Sequence, residues 1–251
     1  MEAMDCLLGH RSIRKYKSDP IEESLLKNIL EAGFRGSTTG NMQLYSIIVS
    51  KDDNLKQKLW EYHFKQDMVL QAPVLLTFCA DINRFHKWCL LRDAAPAYDN
   101  FLWFVNAAID AVIAAQNVAV AAEANGLGIC YLGTTTYMAD KIIEVLNCPK
   151  GVVPVTTLVV GYPDELPELV DRLPYEAMIH DEKYQDYSGQ SIIAIYHEKE
   201  SLLLTKQLLE ENKVKNLARV FTEKRYTKKD NLFFSLKFLK IVEEQGLMNN
   251  K

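Results

Sequence analysis

Apolar positions crowd most densely between Asn106 and Ala124, where alanine recurs and Val105, Ile109, Val112, Ile113 and Val120 leave no purely polar face. This pattern predicts a helix buried on nearly all sides. Asn125-Gly126 supplies the left-handed residue that closes a helix, and Gly128 is expected to let the chain turn back closely against it. Ile129-Cys130-Tyr131-Leu132 then reads as a strand rising from the centre of the core, with Gly133-Thr134 as the loop beyond it. Before this unit the pattern predicts a short helix over Met4 to Leu8. An amphipathic helix follows over Glu22 to Phe34, with Leu25, Leu26, Ile29 and Leu30 on its apolar face. A strand over Ser46 to Val49 and a helix near Asn54 to Tyr62 come next. The apolar run Ala72 to Asp81 has strand length and belongs in a sheet interior. Trp88 to Pro96 reads as a surface excursion. Later come a helix over Ala139 to Leu146, stopped by Cys148-Pro149, a third apolar strand from Val152 to Pro163, and helices over Leu202 to Glu211 and Leu232 to Glu244. Helices and strands are mixed throughout, without repeats, low-complexity segments or an evident linker.

A length of 251 residues with 48% apolar content is enough for one large core or two small ones, in a soluble globular protein. The net charge of -4 argues against wholesale nucleic-acid binding. Five cysteines, an odd number never spaced as C-x-x-C and mostly flanked by apolar residues, are expected as buried free thiols in a reducing compartment, the cytoplasm. The N-terminus does not resemble a secretory signal. The central helix is long enough to span a bilayer, but Asn106, Asp110, Gln116 and Asn117 would make that costly, so no membrane is expected. His63 and His86 have no partner at metal-ligand spacing, and no metal site is expected.

Four stretches carry candidate chemistry. In His10-Arg11-Ser12-Ile13-Arg14-Lys15-Tyr16 a single aliphatic residue stands among polar and charged groups. Alternation would send Arg11 and Ile13 to one side and Ser12 and Arg14 to the other, which suits either an anion or a solvated charge run. Arg35-Gly36-Ser37-Thr38-Thr39-Gly40-Asn41, followed by Gln43, is a hydroxyl-rich loop that can donate to a phosphate or ring carbonyl, or simply turn. Asp164 to Pro174 is a polar loop containing Arg172. From Lys213 to Lys229 seven basic residues face one acid, Glu223, as a solvated helix face or a site for a phosphorylated cosubstrate. Basic and aromatic residues do not alternate there as a nucleic-acid stacking platform requires.

Taken in order, Arg11-Ser12-Ile13-Arg14, Ser37-Thr38-Thr39 with Gln43, Gly126-Leu127-Gly128 leading to Gly133, and Gly161-Tyr162-Pro163 followed by Arg172-Leu173-Pro174 resemble the nitroreductase family of FMN-dependent NAD(P)H oxidoreductases. The likeness runs from about Met4 to Tyr184 and is greatest to the NADPH-preferring nitroreductase and flavin reductase subgroup. It implies an α+β fold, a mixed and mainly antiparallel sheet wrapped by helices, in an intertwined homodimer with shared active sites. A core over residues 1–190 would bind FMN, and residues 191–251 would form a helical extension packing on the core and on the partner chain. The likeness implies that Arg11 and Ser12 meet the FMN phosphate and ribityl chain, with His10 adjacent, and that Arg14 is the catalytic cation over N1 and O2 of the flavin. It places Thr38, Thr39 and Gln43 at the flavin from the partner chain and Gln66 at the ribityl or ring edge. Tyr131, Leu132, Gly133 and Thr134 would lie beside the ring, and Arg172 on the phosphate. Members of the subgroup often carry a lysine two residues before that arginine, where this chain has Val170. The implied reaction is ping-pong: NADPH or NADH gives hydride to the flavin, and nitroaromatics, quinones, free flavins or azo dyes then take the electrons. Arg219 and Arg225 are candidates for NADPH. An FMN-storing or FMN-sensing protein without rapid turnover, and reductive dehalogenation or flavin fragmentation on the same fold, are the rival readings.

Overall fold

The computed structural model describes residues 2–250. It forms two compact units, Met1–Glu168 with Leu236–Lys251, and Leu169–Ser235. The first unit therefore takes in the C-terminal part of the last helix, which the sequence pattern had grouped with the extension beginning at residue 191.

In the first unit the elements run α1 (Ala3–Leu8), α2 (Glu23–Gly33), β1 (Tyr45–Ser50), α3 (Asp53–Tyr62), α4 (Met68–Gln71), β2 (Val74–Asp81), α5 (Asn83–Leu90), α6 (Phe101–Ala124), β3 (Gly128–Leu132), α7 (Thr134–Tyr137), α8 (Ala139–Val145) and β4 (Val152–Gly161). The sheet order is β1-β2-β4-β3, with each adjacent pair antiparallel. Every residue of β2 is buried, as expected of a strand with neighbours on both sides. β3 is largely buried, as expected of a strand rising within the core, and lies at the sheet edge, which leaves one side of its backbone for other partners.

Helix α6 is the spine of this unit. Phe104, Ala107, Ala111, Ala114, Ala115, Val118, Ala119 and Ala122 are buried at spacings of three and four, which lays one continuous stripe against the core. Small alanines let neighbours come close. At Gly33 on α2 an added Cβ would stand 2.5 Å from Val118 Cγ2, so the two helices pack at a distance that a larger residue would forbid. The helix is not buried on nearly all sides within its own chain: Leu102, Ile109 and Val112 are 65%, 50% and 48% exposed. Uniform hydrophobicity told that this surface wanted covering, without telling which chain covers it.

Two further expectations change. Trp88 and Cys89 belong to α5 rather than to a surface excursion, and a short helix, α7, follows Gly133 where a loop was expected. The five cysteines are free; Cys6, Cys79, Cys89 and Cys130 are buried and Cys148 is half-buried.

The second unit carries α9 (Gly189–Ser201), α10 (Leu203–Asn212), α11 (Leu217–Arg219), a π-helical turn over Val220–Arg225, and the start of α12 (Lys228–Glu244). α9 begins at Gly189, just before the helical extension expected from residue 191. Thr205, Leu217 and Val220 are the unit's buried residues among helices otherwise largely exposed. The far end of α12 belongs to the first unit, where Val242 and the following Leu247 join Leu44, Phe104 and Ala107 in one apolar cluster.

Candidate functional site

The segment from His10 to Lys17 lies along the free side of β3 and the end of β4. Ser12 forms a parallel bridge to Ile129, with Ile13 N donating to Ile129 O at 2.9 Å. Tyr16 bridges Pro163 in the opposite sense, Lys17 N donates to Tyr162 O at 2.9 Å, and Asp164 N donates to Lys15 O at 2.9 Å. Ile13 and Tyr16 are the buried anchors. Ile13 can seat because residue 128 is glycine: a Cβ there would lie 2.7 Å from Ile13 Cγ1. The close approach that Gly128 permits is thus to this segment, not back to the helix. The Tyr16 hydroxyl donates to Ile13 O at 2.7 Å, and burial pushes its ionisation far above the ordinary phenol range, so it acts as a fixed donor.

With Ile13 and Tyr16 turned inward, Arg14 and Lys15 are exposed. Their main-chain N–H groups both donate to one oxygen of Glu165, Oε1, at 2.6 and 3.1 Å. Arg14 Nη1 stands 3.5 Å from Ser12 O, a weak contact that leaves the guanidinium facing outward. Arg11 donates from Nη1 to Gly9 O at 3.0 Å, while its Nε is buried without a hydrogen-bond partner. It lines a cleft of about 540 Å³ with Gly126, Gly128 and Glu165. His10 Nδ1 lies 2.7 Å from Glu123 Oε1 and ties the segment to the C-terminal turns of α6.

At the end of β3, Leu132 is buried, and Tyr131 reaches back so that its hydroxyl donates to Gln116 Oε1 at 3.2 Å. Burial pushes the Tyr131 phenol up to about 12. Gly133 is open: a Cβ built on it would meet nothing within 4 Å. Thr134 is held from behind by His63, whose Nδ1 lies 2.9 Å from the threonine Oγ1, and Gln66 Nε2 donates to His63 O at 2.9 Å. Burial lowers His63 to about 4, so the imidazole is neutral at ordinary pH. Gln66, His63 and Thr134 therefore form one group behind an open glycine. His63 was set aside in the sequence because it had no metal-ligand spacing; a buried histidine that braces a loop has no local signature.

The hydroxyl-rich loop is organised by a different residue. Asp110 Oδ1 accepts Thr39 N at 2.9 Å and the Thr39 hydroxyl at 3.1 Å, and its Oδ2 accepts Leu44 N at 3.3 Å. The donors of Thr39 are therefore engaged within the chain. Thr38 is half-buried, and Gln43, exposed with φ +50°, donates its amide to Asn41 O at 2.9 Å. Asp110 and Glu123 are thirteen positions apart on α6, roughly 20 Å along a helix axis. Within one protomer the loop thus does not join the cluster that His10 to Arg14 forms. An aspartate in an apolar helix was the available signal; it counted against a membrane span but was not recognised as the loop's anchor.

Arg172, Arg219 and Arg225 belong to the second unit and are exposed. Arg172 Nη1 donates to Val170 O and Asp171 O at 3.2 and 3.1 Å, Arg219 pairs with Glu223 at 3.2 Å, and Lys199 pairs with Asp171 at 2.6 Å.

In the first unit, the unpartnered Nε of Arg11, an exposed guanidinium at Arg14 and an open glycine at a strand end suit a ligand with a flat part and an anionic part. A sequence model of the nitroreductase family matches residues 7–162. The FMN reductase (NADPH) of Bacillus subtilis (strain 168) is 33% identical over 183 residues, 72% of this chain and 74% of that protein. A crystal structure from Bacteroides fragilis NCTC 9343 superposes with a TM-score of 0.97 at 50% identity, covering 98% of this chain and 100% of that one. The NADPH:FMN oxidoreductase of Vibrio harveyi, solved with NAD+, superposes with a TM-score of 0.82 at 25% identity over 99% of each chain.

Proposed function

The chain belongs to the nitroreductase family, and from that premise we propose that it is an FMN-dependent oxidoreductase that takes electrons from NADPH or NADH and passes them to nitroaromatics, quinones or flavins. The observation that carries this reading is the seating of Arg11 to Arg14 along the edge of β3, beside a strand end that opens at Gly133. The residues present fit FMN. Arg11 offers a buried, unpartnered Nε to the phosphate, with Ser12 and His10 beside it. The backbone of Tyr131, Leu132, Gly133 and Thr134, with Gln66 behind it, borders the ring and ribityl chain without side-chain obstruction at residue 133.

FMN, when bound, supplies a two-electron carrier that receives hydride from the nicotinamide and yields its electrons to the acceptor in a second half-reaction. Arg14 would hold a cation beside the flavin ring, where it would stabilise the negative charge that reduction brings. His63 and Thr134 hold the strand end rigid behind it. No side-chain nucleophile is required. The family likeness also implies a phosphate role for Arg172 and a preference for NADPH from Arg219 and Arg225. Val170, standing where a second cation is common, removes one charge-assisted contact and weakens FMN retention by about ten- to a hundredfold.

The active protein is a homodimer with shared sites. The exposed Leu102, Ile109 and Val112 support this, as does the separation of the Thr38–Gln43 loop from the Arg11–Arg14 cluster within one chain. In the partner's site Thr38 and Gln43 approach the flavin while Thr39 fixes the loop's shape. Phe101–Ala124 is long and apolar enough to cross a membrane. Its buried Asp110, bonded to Thr39 and Leu44, supports a core helix of a soluble cytoplasmic enzyme instead.

The test is the visible spectrum of protein incubated with FMN and desalted, recorded anaerobically before and after NADPH. A retained flavin band that bleaches is expected. A band that stays oxidised with both NADPH and NADH would favour flavin storage, and no retained flavin would overturn the cofactor assignment.

A further inference from the structure

We propose that Glu165 is a positioning residue for Arg14: its carboxylate clamps the main chain from which the catalytic guanidinium projects. This rests on the assignment of Arg14 to the flavin. The geometry is specific. Glu165 Oε1 accepts two consecutive N–H groups, Arg14 N at 2.6 Å and Lys15 N at 3.1 Å. Both donors face outward from a segment already paired on its other groups with Ile129, Tyr162 and Asp164. Without Glu165 these two N–H groups would turn to water, and the backbone at residue 14 would be fixed only through its neighbours, by Ile13, Tyr16 and the Lys15 carbonyl. Hydrogen bonds to an ionised acceptor are about twice as strong as neutral ones, so one carboxylate suffices to hold both amides.

The consequence reaches the side chain. Arg14 is exposed, and among the described residues its guanidinium makes one hydrogen-bond contact, a weak one to Ser12 O at 3.5 Å. Its guanidinium is therefore aimed by its Cα rather than by neighbouring side chains, and a cation contributes to stabilising developing charge only if it is already in place. Glu165 lies just beyond Gly161-Tyr162-Pro163, so the end of β4 sets the aim of a residue near the N-terminus. Glu165 and Arg11 both line the same cleft.

The experiment measures the midpoint potential of bound flavin and the FMN dissociation constant, by quenching of flavin fluorescence, for the parent, Glu165→Ala, Glu165→Gln, Arg14→Ala and the double variant Arg14→Ala/Glu165→Ala. Glu165→Ala is expected to weaken FMN about tenfold and to lower the potential, since the reduced flavin loses an aligned cation. Glu165→Gln retains an acceptor oxygen for both amides and is expected to restore affinity and a potential at or above the parent's. On the Arg14→Ala background the second substitution should leave the potential unchanged, as non-additivity requires of residues acting through one another. Should Glu165→Ala not fold, Glu165→Asp, one methylene shorter, carries the same comparison. Parent-like affinity and potential in Glu165→Ala, failure of Glu165→Gln to rescue, or full additivity in the double variant each overturns the proposal while leaving the flavin assignment standing. A parent that binds no FMN overturns that assignment and this one with it.

Discussion

Arg14 and His63 sit in opposite environments, and each is tested accordingly. Arg14 is exposed and its guanidinium makes only a weak contact, to Ser12 O, among the described residues, so Arg14→Ala should change unfolding free energy by no more than about 0.5 kcal/mol. Flavin reduction by NADPH in a stopped-flow experiment should slow on the order of a hundredfold. A parent-like rate would remove Arg14 from the chemistry. His63 is fully buried and neutral, with its pKa lowered to about 4 from 6.5 by burial. Between those values the unfolded chain binds the proton and the folded chain does not. Its stabilising contribution is thus complete above pH 6.5 and is lost as pH falls toward 4, on the order of 3 kcal/mol in all. Urea midpoints measured from pH 7.5 to 4.5 should fall, and His63→Gln should flatten that dependence. An unchanged slope would mean that other groups dominate it. The charged segment that carries Arg14 stood out in the sequence because charged groups crowd around one aliphatic residue, while the role proposed for Arg14 comes from the family likeness. His63 did not, because its role comes from a threonine 71 positions away.

Among the elements, α6 does two jobs with one composition. Its alanines admit α2 and the sheet, and its one buried acid organises a loop. Asp110→Ala leaves Thr39 N and Leu44 N without their acceptor, and should cost about 3 kcal/mol in urea unfolding, with Asp110→Asn recovering part of it. Limited proteolysis should cut near Gly40 in the alanine variant first. If stability and cleavage both match the parent, the loop is held by something other than Asp110. The sequence predicted α6 and its stop at Gly126, which has φ +80°, because helix propensity and the glycine end signal are local. It predicted β3 as a core strand without its place in the sheet. An edge strand covered by the His10–Lys17 segment is as apolar as an interior one, so strand order leaves no mark on its composition.

For the molecule as a whole, an apolar helix face left half-exposed within its own chain calls for a partner. Sedimentation equilibrium should return twice the chain mass. Under the proposed shared-site dimer, Ile109→Glu should weaken association and release FMN together. A dissociated variant that keeps its flavin would confine the site to one chain. The second unit was the least legible part. Its helices α9 and α10 and the π-helical turn carry exposed apolar residues with weak periodicity, such as Ile193, Leu203 and Phe221. A pattern of burial that depends on another surface is not written at a spacing of 3.6 along one chain.

What the sequence determined by itself was local and compositional: the positions of α2, α6, β2 and β4, the stop at Gly126, and the order of motifs that marks the family. These follow from propensities and spacings that act within a few residues. The tertiary structure decided which strand is an edge, that Gly128 makes room for Ile13, that Asp110 holds the Thr39 loop, that Glu165 accepts from Arg14 and Lys15, and that His63 meets Thr134. Each of those facts is a meeting of residues distant in the chain, and only the folded backbone brings them within hydrogen-bonding or van der Waals reach.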